Sequence, residues 1–297
     1  MKKIFLLVPL FLILLLTACG GQADSGKVIV SGKDWTEQWI LSHLLAETIK
    51  AHTDLEVEVK EGLGSETVLT EALKKGDIDL YVEYTGTGYM AILHKEFRPG
   101  MTPDEIYEAT KKGYEDELDV TWLKPLGFAN NHVMTMRKDK ADSLGASRLG
   151  DLKGKAGSLA FGAPGTFYER ADGYEGLTKA YGFQFGKKVS LDEDLMYQAV
   201  HKGEVDIITG FSTDPRIRQF NLAVLEDDKQ YFPPYDAAPV VRRETLESHP
   251  ELKEALEMLA GQISTEEMSE MNAEVNLENK EPRDVAIRFL KKKGLIQ

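Results

Sequence analysis

One stretch of this chain occurs twice, and the repetition constrains the architecture more than any single motif. Ala72-Leu-Lys-Lys-Gly76-Asp-Ile-Asp79-Leu80 is echoed by Ala199-Val-His-Lys-Gly203-Glu-Val-Asp206-Ile207. Each copy reads as a helix ending in a basic residue, a glycine just past the helix, an acidic turn and a short apolar strand. In the same register, Tyr84-Thr85 matches Phe211-Ser212. Each half therefore delivers an aromatic ring and a hydroxyl to the carboxyl end of a strand, where open α/β sheets bind ligands. Two related α/β lobes with a cleft between them follow from that pattern.

Residues 1–18 read as a signal peptide. Lys2 and Lys3 are followed by the apolar run Ile4–Leu16, interrupted only by Pro9. That run is shorter than the roughly 20 residues a membrane helix needs. It ends in Leu16-Thr17-Ala18-Cys19, the pattern of a bacterial lipoprotein signal, and Cys19 is the chain's one cysteine. Its thiol is the expected lipid attachment point, which would hold the protein on the extracytoplasmic face of the cell membrane. Residues 19–26 are small and polar and read as a tether. Formal charge is −13, or −15 once Lys2 and Lys3 leave with the signal, which argues against nucleic acid as a partner.

Strand and helix patterns alternate along the rest of the chain, as α/β layers require. Strands are expected at 27–31, 55–59, 78–82, 120–123, 133–137, 157–161, 205–209, 224–226 and 238–242. Asp34-Trp35-Thr36-Glu37 resembles a capping box opening the first long helix. The chain leaves its first lobe near Asn130 and returns near Tyr235, so the expected division is 27–130 plus 236–297 against 131–235. Two crossings make a hinge, and hinge closure around a ligand is a standard motion of such folds.

No catalytic or metal chemistry stands out. The six histidines lack zinc-like spacing and have no cysteine partner near them. Nucleophile-elbow, Walker A and His-Glu-x-x-His patterns are absent from the sequence. Gly86-x-Gly88-x-x-Ala91 imitates a dinucleotide fingerprint but sits deep in its lobe rather than after the first strand, so no cofactor is expected. Aromatic residues at loop starts point instead to binding, above all Tyr84, Phe211 and Tyr235.

Several ordered motifs then fit one family. They are Lys33-Asp-Trp-Thr-Glu-Gln38, Gly76-Asp-Ile-Asp-Leu-Tyr-Val-Glu-Tyr84-Thr-Gly-Thr87-Gly, Trp122-Leu-Lys-Pro125-x-Gly-Phe128, Glu169-Arg170-x-Asp-Gly-Tyr174 and Phe211-Ser-Thr-Asp214-x-Arg-Ile. Leu225-Glu-Asp-Asp-Lys229 running into Phe232-Pro-Pro-Tyr235 completes the set. From about Lys27 onward the chain resembles the substrate-binding lipoproteins of osmoprotectant ABC importers, which carry glycine betaine, carnitine, choline and related quaternary amines.

The resemblance implies a two-lobed periplasmic-binding-protein fold of the type II kind, with hinge crossovers and a central cleft. It also implies an ABC permease and its ATPase as partners. A box of aromatics would hold the quaternary ammonium, which has no N–H to donate and is stabilised by ring faces at roughly 0.5–2 kcal/mol each. Carried over by motif, the box here is Tyr84, His132, Phe211 and Tyr235. The carboxylate of a betaine would meet Lys33, Thr87 and Arg170, with Asn130 near the ammonium and Gln38 a weaker candidate. His132 and Phe211 depart from the family's usual tyrosines. The altered box is compatible with glycine betaine, and also with a bulkier betaine such as carnitine or ergothioneine. A ligand sensor built on the same fold is a further alternative. Charging of His132 as pH falls through about 6 is expected to weaken binding.

Overall fold

The computed structural model describes residues 26–170 and 172–297. The expected signal peptide, Cys19 and all of the tether except Gly26 lie outside the described residues. Ten strands form two five-stranded sheets. They are β1 (Lys27–Lys33), β2 (Glu56–Gly64), β3 (Leu80–Tyr84), β4 (Val120–Trp122), β5 (His132–Arg137), β6 (Ala160–Ala163), β7 (Lys187–Ser190), β8 (Ile207–Phe211), β9 (Leu222–Leu225) and β10 (Ala237–Arg242).

The sheet orders are β2-β1-β3-β10-β4 and β7-β6-β8-β5-β9. In each sheet, the strand that follows a crossing from the other lobe is fourth in the order and runs antiparallel to both its neighbours. β10 pairs antiparallel with β3 and β4, and β5 pairs antiparallel with β8 and β9. The two lobes therefore share one topology. The crossings run side by side, bridged at Ala129 and Asp236.

The repeated stretch has the same local structure in both copies. Helix Glu66–Lys75 ends at Gly76 (φ 77°, ψ 19°), and helix Glu193–Lys202 ends at Gly203 (φ 75°, ψ 19°). This left-handed conformation favours glycine, which is why both copies carry one there. Asp79 accepts from the Ile29 N–H at 2.8 Å while its own N–H donates to the Ile29 carbonyl at 2.8 Å. Asp206 makes the same pair of bonds, at the same distances, with Ala160. The acidic residue of each turn thus satisfies a backbone group where a central strand begins.

That use of the turn shifts the strands. β3 and β8 begin two residues later than the apolar pattern implied, so Tyr84 and Phe211 close them as their last residues. β7 has no counterpart in the expected set; it is a largely exposed edge strand, without the apolar alternation that would announce it. After β10 the chain forms two helices, Arg243–Ser248 and Glu251–Glu257, divided around Pro250, which lacks the N–H needed to continue the first.

Helix Thr36–His52 anchors the first lobe. It buries Ile40, Leu41, Leu44, Leu45 and Ile49 completely or nearly so, each worth roughly 1.5–3 kcal/mol. The helices Thr265–Asn276 and Pro282–Lys292 pack against it, so the carboxyl-terminal part of the chain belongs to this lobe's core. No helix among the described residues is long and apolar enough to cross a membrane.

Candidate functional site

The carboxyl ends of β3 and β8 face a shared cavity of about 520 Å³. Lys33, Tyr84, Thr87, Asn130, His132, Arg170, Phe211 and Tyr235 all line it. These residues come from the first sheet and the short helix Thr85–Thr87 after β3, the second sheet, the two crossings and the loop after helix Gly165–Glu169. The fold thus brings every residue expected at the ligand to one place. Gln38 lies one layer behind, fully buried, with its side-chain amide donating to the Tyr84 hydroxyl at 3.0 Å.

The basic groups already have protein partners. Lys33 is 1% exposed, and its Nζ pairs with Glu83, equally buried. Glu83 also accepts from the Tyr84 backbone N–H at 2.7 Å and the Tyr81 hydroxyl at 3.1 Å. Lys33 Nζ stands 4.9 Å from the centre of the Tyr84 ring and 5.3 Å from that of Trp35. The lysine therefore supports the ring wall from behind while its charge is balanced internally. Arg170 is bidentate to Asp172, Nε to Oδ1 at 2.8 Å and Nη2 to Oδ2 at 2.7 Å. The Tyr235 hydroxyl donates to the same Asp172 Oδ2 at 2.6 Å. Burial acts to raise the Asp172 pKa, but the hydrogen bonds and charge of Arg170 prevail and hold it below the usual carboxylate range. With its side chain a quarter exposed, Arg170 still presents a guanidinium to the cavity.

His132 is the hub of an aromatic cluster. Its ring centre lies 5.1 Å from Phe211, 5.2 Å from Tyr235, 5.4 Å from Phe232 and 5.8 Å from Phe167. Enclosure by these rings, together with the nearby Arg170 charge, pushes its pKa down to about 4. The imidazole is therefore neutral at physiological pH. This corrects the expectation that it charges near pH 6. A neutral ring does not repel a cation, so the change from tyrosine costs less than the sequence implied.

The paired hydroxyls of the repeat do something other than expected. Neither Thr85 nor Ser212 lines the cavity; both turn to the crossing strands. The glycines of the dinucleotide-like pattern serve packing. A Cβ at Gly86 would stand 2.8 Å from the Tyr235 ring, and one at Gly88 would stand 2.7 Å from Trp122.

Among the cavity residues that escaped the sequence reading are Trp35, Glu37, Phe167 and Asn272. Trp35 stacks near-parallel on Tyr84 (6.4 Å between centres, 12° between planes). Glu37 was read as half of a capping box, yet the helix starts at Thr36 with no side-chain cap. Its carboxylate instead accepts from the Tyr84 hydroxyl at 2.6 Å, Asn272 Nδ2 at 2.9 Å and Asn130 Nδ2 at 3.0 Å. Phe167 follows no repeat, and Asn272 comes from a helix far along the chain. No local signal marked either.

Comparison with known proteins identifies the family. A family model described as the substrate binding domain of ABC-type glycine betaine transport system matches residues 26–292. The chain is 37% identical over 309 residues to the carnitine transport binding protein OpuCC of Listeria monocytogenes, covering 100% of this chain and 99% of that protein. It is 32% identical over 300 residues to the ergothioneine transport permease/ergothioneine binding protein EgtU of Helicobacter pylori, covering 99% of this chain and 53% of that protein. Among solved structures, a glycine betaine/carnitine/choline ABC transporter protein superposes with a TM-score of 0.80 at 36% identity, over 91% of this chain and 100% of that one. These relatives are solute-binding components of transport systems rather than enzymes. The chain belongs to the family of substrate-binding domains of ABC-type glycine betaine transport systems.

Proposed function

We propose that this protein captures a quaternary-ammonium zwitterion in the cleft between its lobes and delivers it to an ABC permease driven by an ATPase. The observation that carries this reading is the convergence of an aromatic wall and a partly exposed guanidinium on one cavity that both sheets enclose. Tyr84, His132, Phe211 and Tyr235 would form the wall for the ammonium, with ring faces and dispersion replacing its water. Arg170 and Thr87 would meet the carboxylate, and Arg170 offers planar donors suited to it. Lys33 contributes mainly by fixing Tyr84 through Glu83. The lobes are taken as 27–130 with 236–297 and 131–235, since β5 to β9 fall in the second span.

The leader and Cys19 support secretion and a lipid anchor that holds the domain on the outer face of the cell membrane, within reach of a permease. Incorporation of labelled palmitate that is lost in Cys19→Ala would test the anchor.

A second reading is that the natural ligand is larger than glycine betaine. A cavity of about 520 Å³ falls in the roughly 300–1,000 Å³ range of sites for drug-sized ligands. Relatives named for carnitine and ergothioneine transport fit that size. Thermal unfolding with glycine betaine, carnitine, ergothioneine and choline separates the readings. At 100 times its Kd a ligand adds about 2.7 kcal/mol, a rise of roughly 5–10 °C for a chain of this length. The zwitterions should raise Tm, and the best of them names the ligand. No shift with any of the four would remove the proposed function.

A further inference from the structure

We propose that Glu37 is the counter-charge for the ligand's ammonium group, and so sets this cavity's preference for a cationic head over a neutral head of the same shape. The inference rests on the reading of the cleft given above and adds to it a residue and a specificity.

The buried carboxylates at and behind the cavity wall differ in one respect, whereas Glu66 and Glu169, which also line it, are at least partly open to solvent. Glu83 is paired with Lys33, Asp172 with Arg170, and Asp214 with Arg216. Glu37, 2% exposed, lies within ion-pair distance of no cation among the described residues. Its partners are all neutral: the hydroxyls of Tyr84 and Thr213 and the side-chain amides of Asn130 and Asn272. A buried carboxylate without a cation is costly, and natural proteins rarely keep one without a use for it. Burial accordingly pushes the Glu37 carboxyl above its ordinary range, against the pull of its hydrogen bonds.

The surroundings sharpen the point. Because both asparagines turn their Nδ2 atoms toward Glu37, their Oδ1 atoms face elsewhere, and both are buried without a hydrogen-bond partner. The carboxylate and the two asparagines thus lie together beside the Trp35 and Tyr84 rings, where the one nearby cation, Lys33, is already paired with Glu83. A quaternary ammonium has the chemistry this corner lacks: positive charge, no proton to donate and a methylated surface suited to ring faces. An amine with N–H groups would compete less well, since Glu37 already accepts hydrogen bonds from four side chains.

Glu37 also links the lobes. Asn272, which holds Glu37 Oε2, donates from the same Nδ2 to the Thr213 carbonyl at 3.2 Å. Asn130 lies on a crossing, Tyr84 on the first sheet and Thr213 just after β8 on the second. A cation seated beside Glu37 would thus favour a network that the closed cleft shares between both lobes.

The test compares glycine betaine with 3,3-dimethylbutanoate, which has the same carboxylate and branched head with carbon in place of nitrogen. Calorimetric titration of the wild type should show at least about tenfold tighter binding of glycine betaine. In Glu37→Gln that ratio should fall below about threefold, because the charge is gone while the shape remains. Asn130→Lys, which sets a cation beside Glu37 without removing it, should reduce the ratio in the same way and serves if Glu37→Gln fails to fold. A variant that weakens both ligands equally and keeps the ratio would overturn the inference, leaving Glu37 only to position Tyr84. A wild type that binds both ligands equally would also overturn it, while the function above stands. A wild type that binds neither would overturn the proposed function itself and this inference with it.

Discussion

Thr85 and Ser212 make the same three hydrogen bonds in opposite lobes. The Thr85 hydroxyl donates to the Pro234 carbonyl at 2.9 Å and accepts from the Asp236 N–H at 3.0 Å, while its own N–H donates to the Asp236 carbonyl at 3.0 Å. The Ser212 hydroxyl donates to the Ala129 carbonyl at 3.1 Å and accepts from the Asn131 N–H at 2.9 Å, while its own N–H donates to the Asn131 carbonyl at 3.0 Å. Each lobe thus uses the residue after its aromatic to grip the crossing that enters it from the other. The ring faces the ligand cavity and the next hydroxyl holds the hinge, so the duplicated unit couples the two by adjacency.

The two grips differ in burial, and their loss should differ accordingly. Thr85 is fully buried, so Thr85→Val leaves a backbone N–H and a carbonyl away from water, and we expect a cost of about 1–3 kcal/mol. Ser212 is partly exposed, and water can replace its hydroxyl, so Ser212→Ala should cost about 1 kcal/mol or less. Urea unfolding of both variants checks the order; equal costs would contradict it.

Arg170 and Tyr235 share Asp172, so each should matter to binding beyond its own contact. Arg170→Ala removes a cation from the cleft and leaves Asp172 buried without its partner. Tyr235→Ala removes a ring from the wall. Each should weaken zwitterion binding at least tenfold, about 1.4 kcal/mol. Affinity unchanged in both variants would displace the ligand from this cavity.

His132 gives a pH signature whose sign follows from its depressed pKa. In the folded chain it titrates at about 4 rather than near 6.5, so the unfolded chain takes up the proton first. Its contribution to stability is therefore present above about pH 6.5 and is lost as pH falls from there toward 4. Affinity should stay flat from pH 8 to 5, since the ring is neutral throughout. Denaturation curves of the wild type and His132→Phe should diverge in slope against pH only below about 6.5. A fall in ligand affinity centred near pH 6 that disappears in His132→Phe would show that the ring charges in the ordinary range.

The Lys33–Glu83 pair should be a matter of stability first. Removing one partner of a buried ion pair leaves an uncompensated charge, so Lys33→Met should destabilise the fold by about 3–5 kcal/mol. Lys33→Met combined with Glu83→Gln should recover much of that, because neither charge is then stranded. A double variant no more stable than Lys33→Met would mean that the pair is not the unit lost.

Much of this site was legible because its residues sit at strand ends fixed by a repeated pattern. Tyr84 and Phe211 could be placed from Gly76 and Gly203 by counting, and the left-handed glycines and ladder-closing aspartates explain why the count holds. Residues whose role depends on distant partners were not legible. Glu37 carries a helix-start pattern, but its hydrogen-bond donors come from β3, a crossing, the loop after β8 and the helix Thr265–Asn276. The hydroxyls of Thr85 and Ser212 were rightly paired and wrongly aimed, since periodicity gives the position along a strand and not the strand that crosses it. His132 was singled out by sequence and lines the cavity, but its titration depends on four rings that the sequence scatters from Phe167 to Tyr235.

The most direct test of the central claim is a crystal structure of the protein grown with carnitine or glycine betaine. The account predicts ligand in the cleft, its trimethylammonium group against Tyr84 and Phe211 and its carboxylate turned to Arg170. Ligand bound elsewhere, or a carboxylate against Glu37 with the ammonium at Arg170, would contradict it.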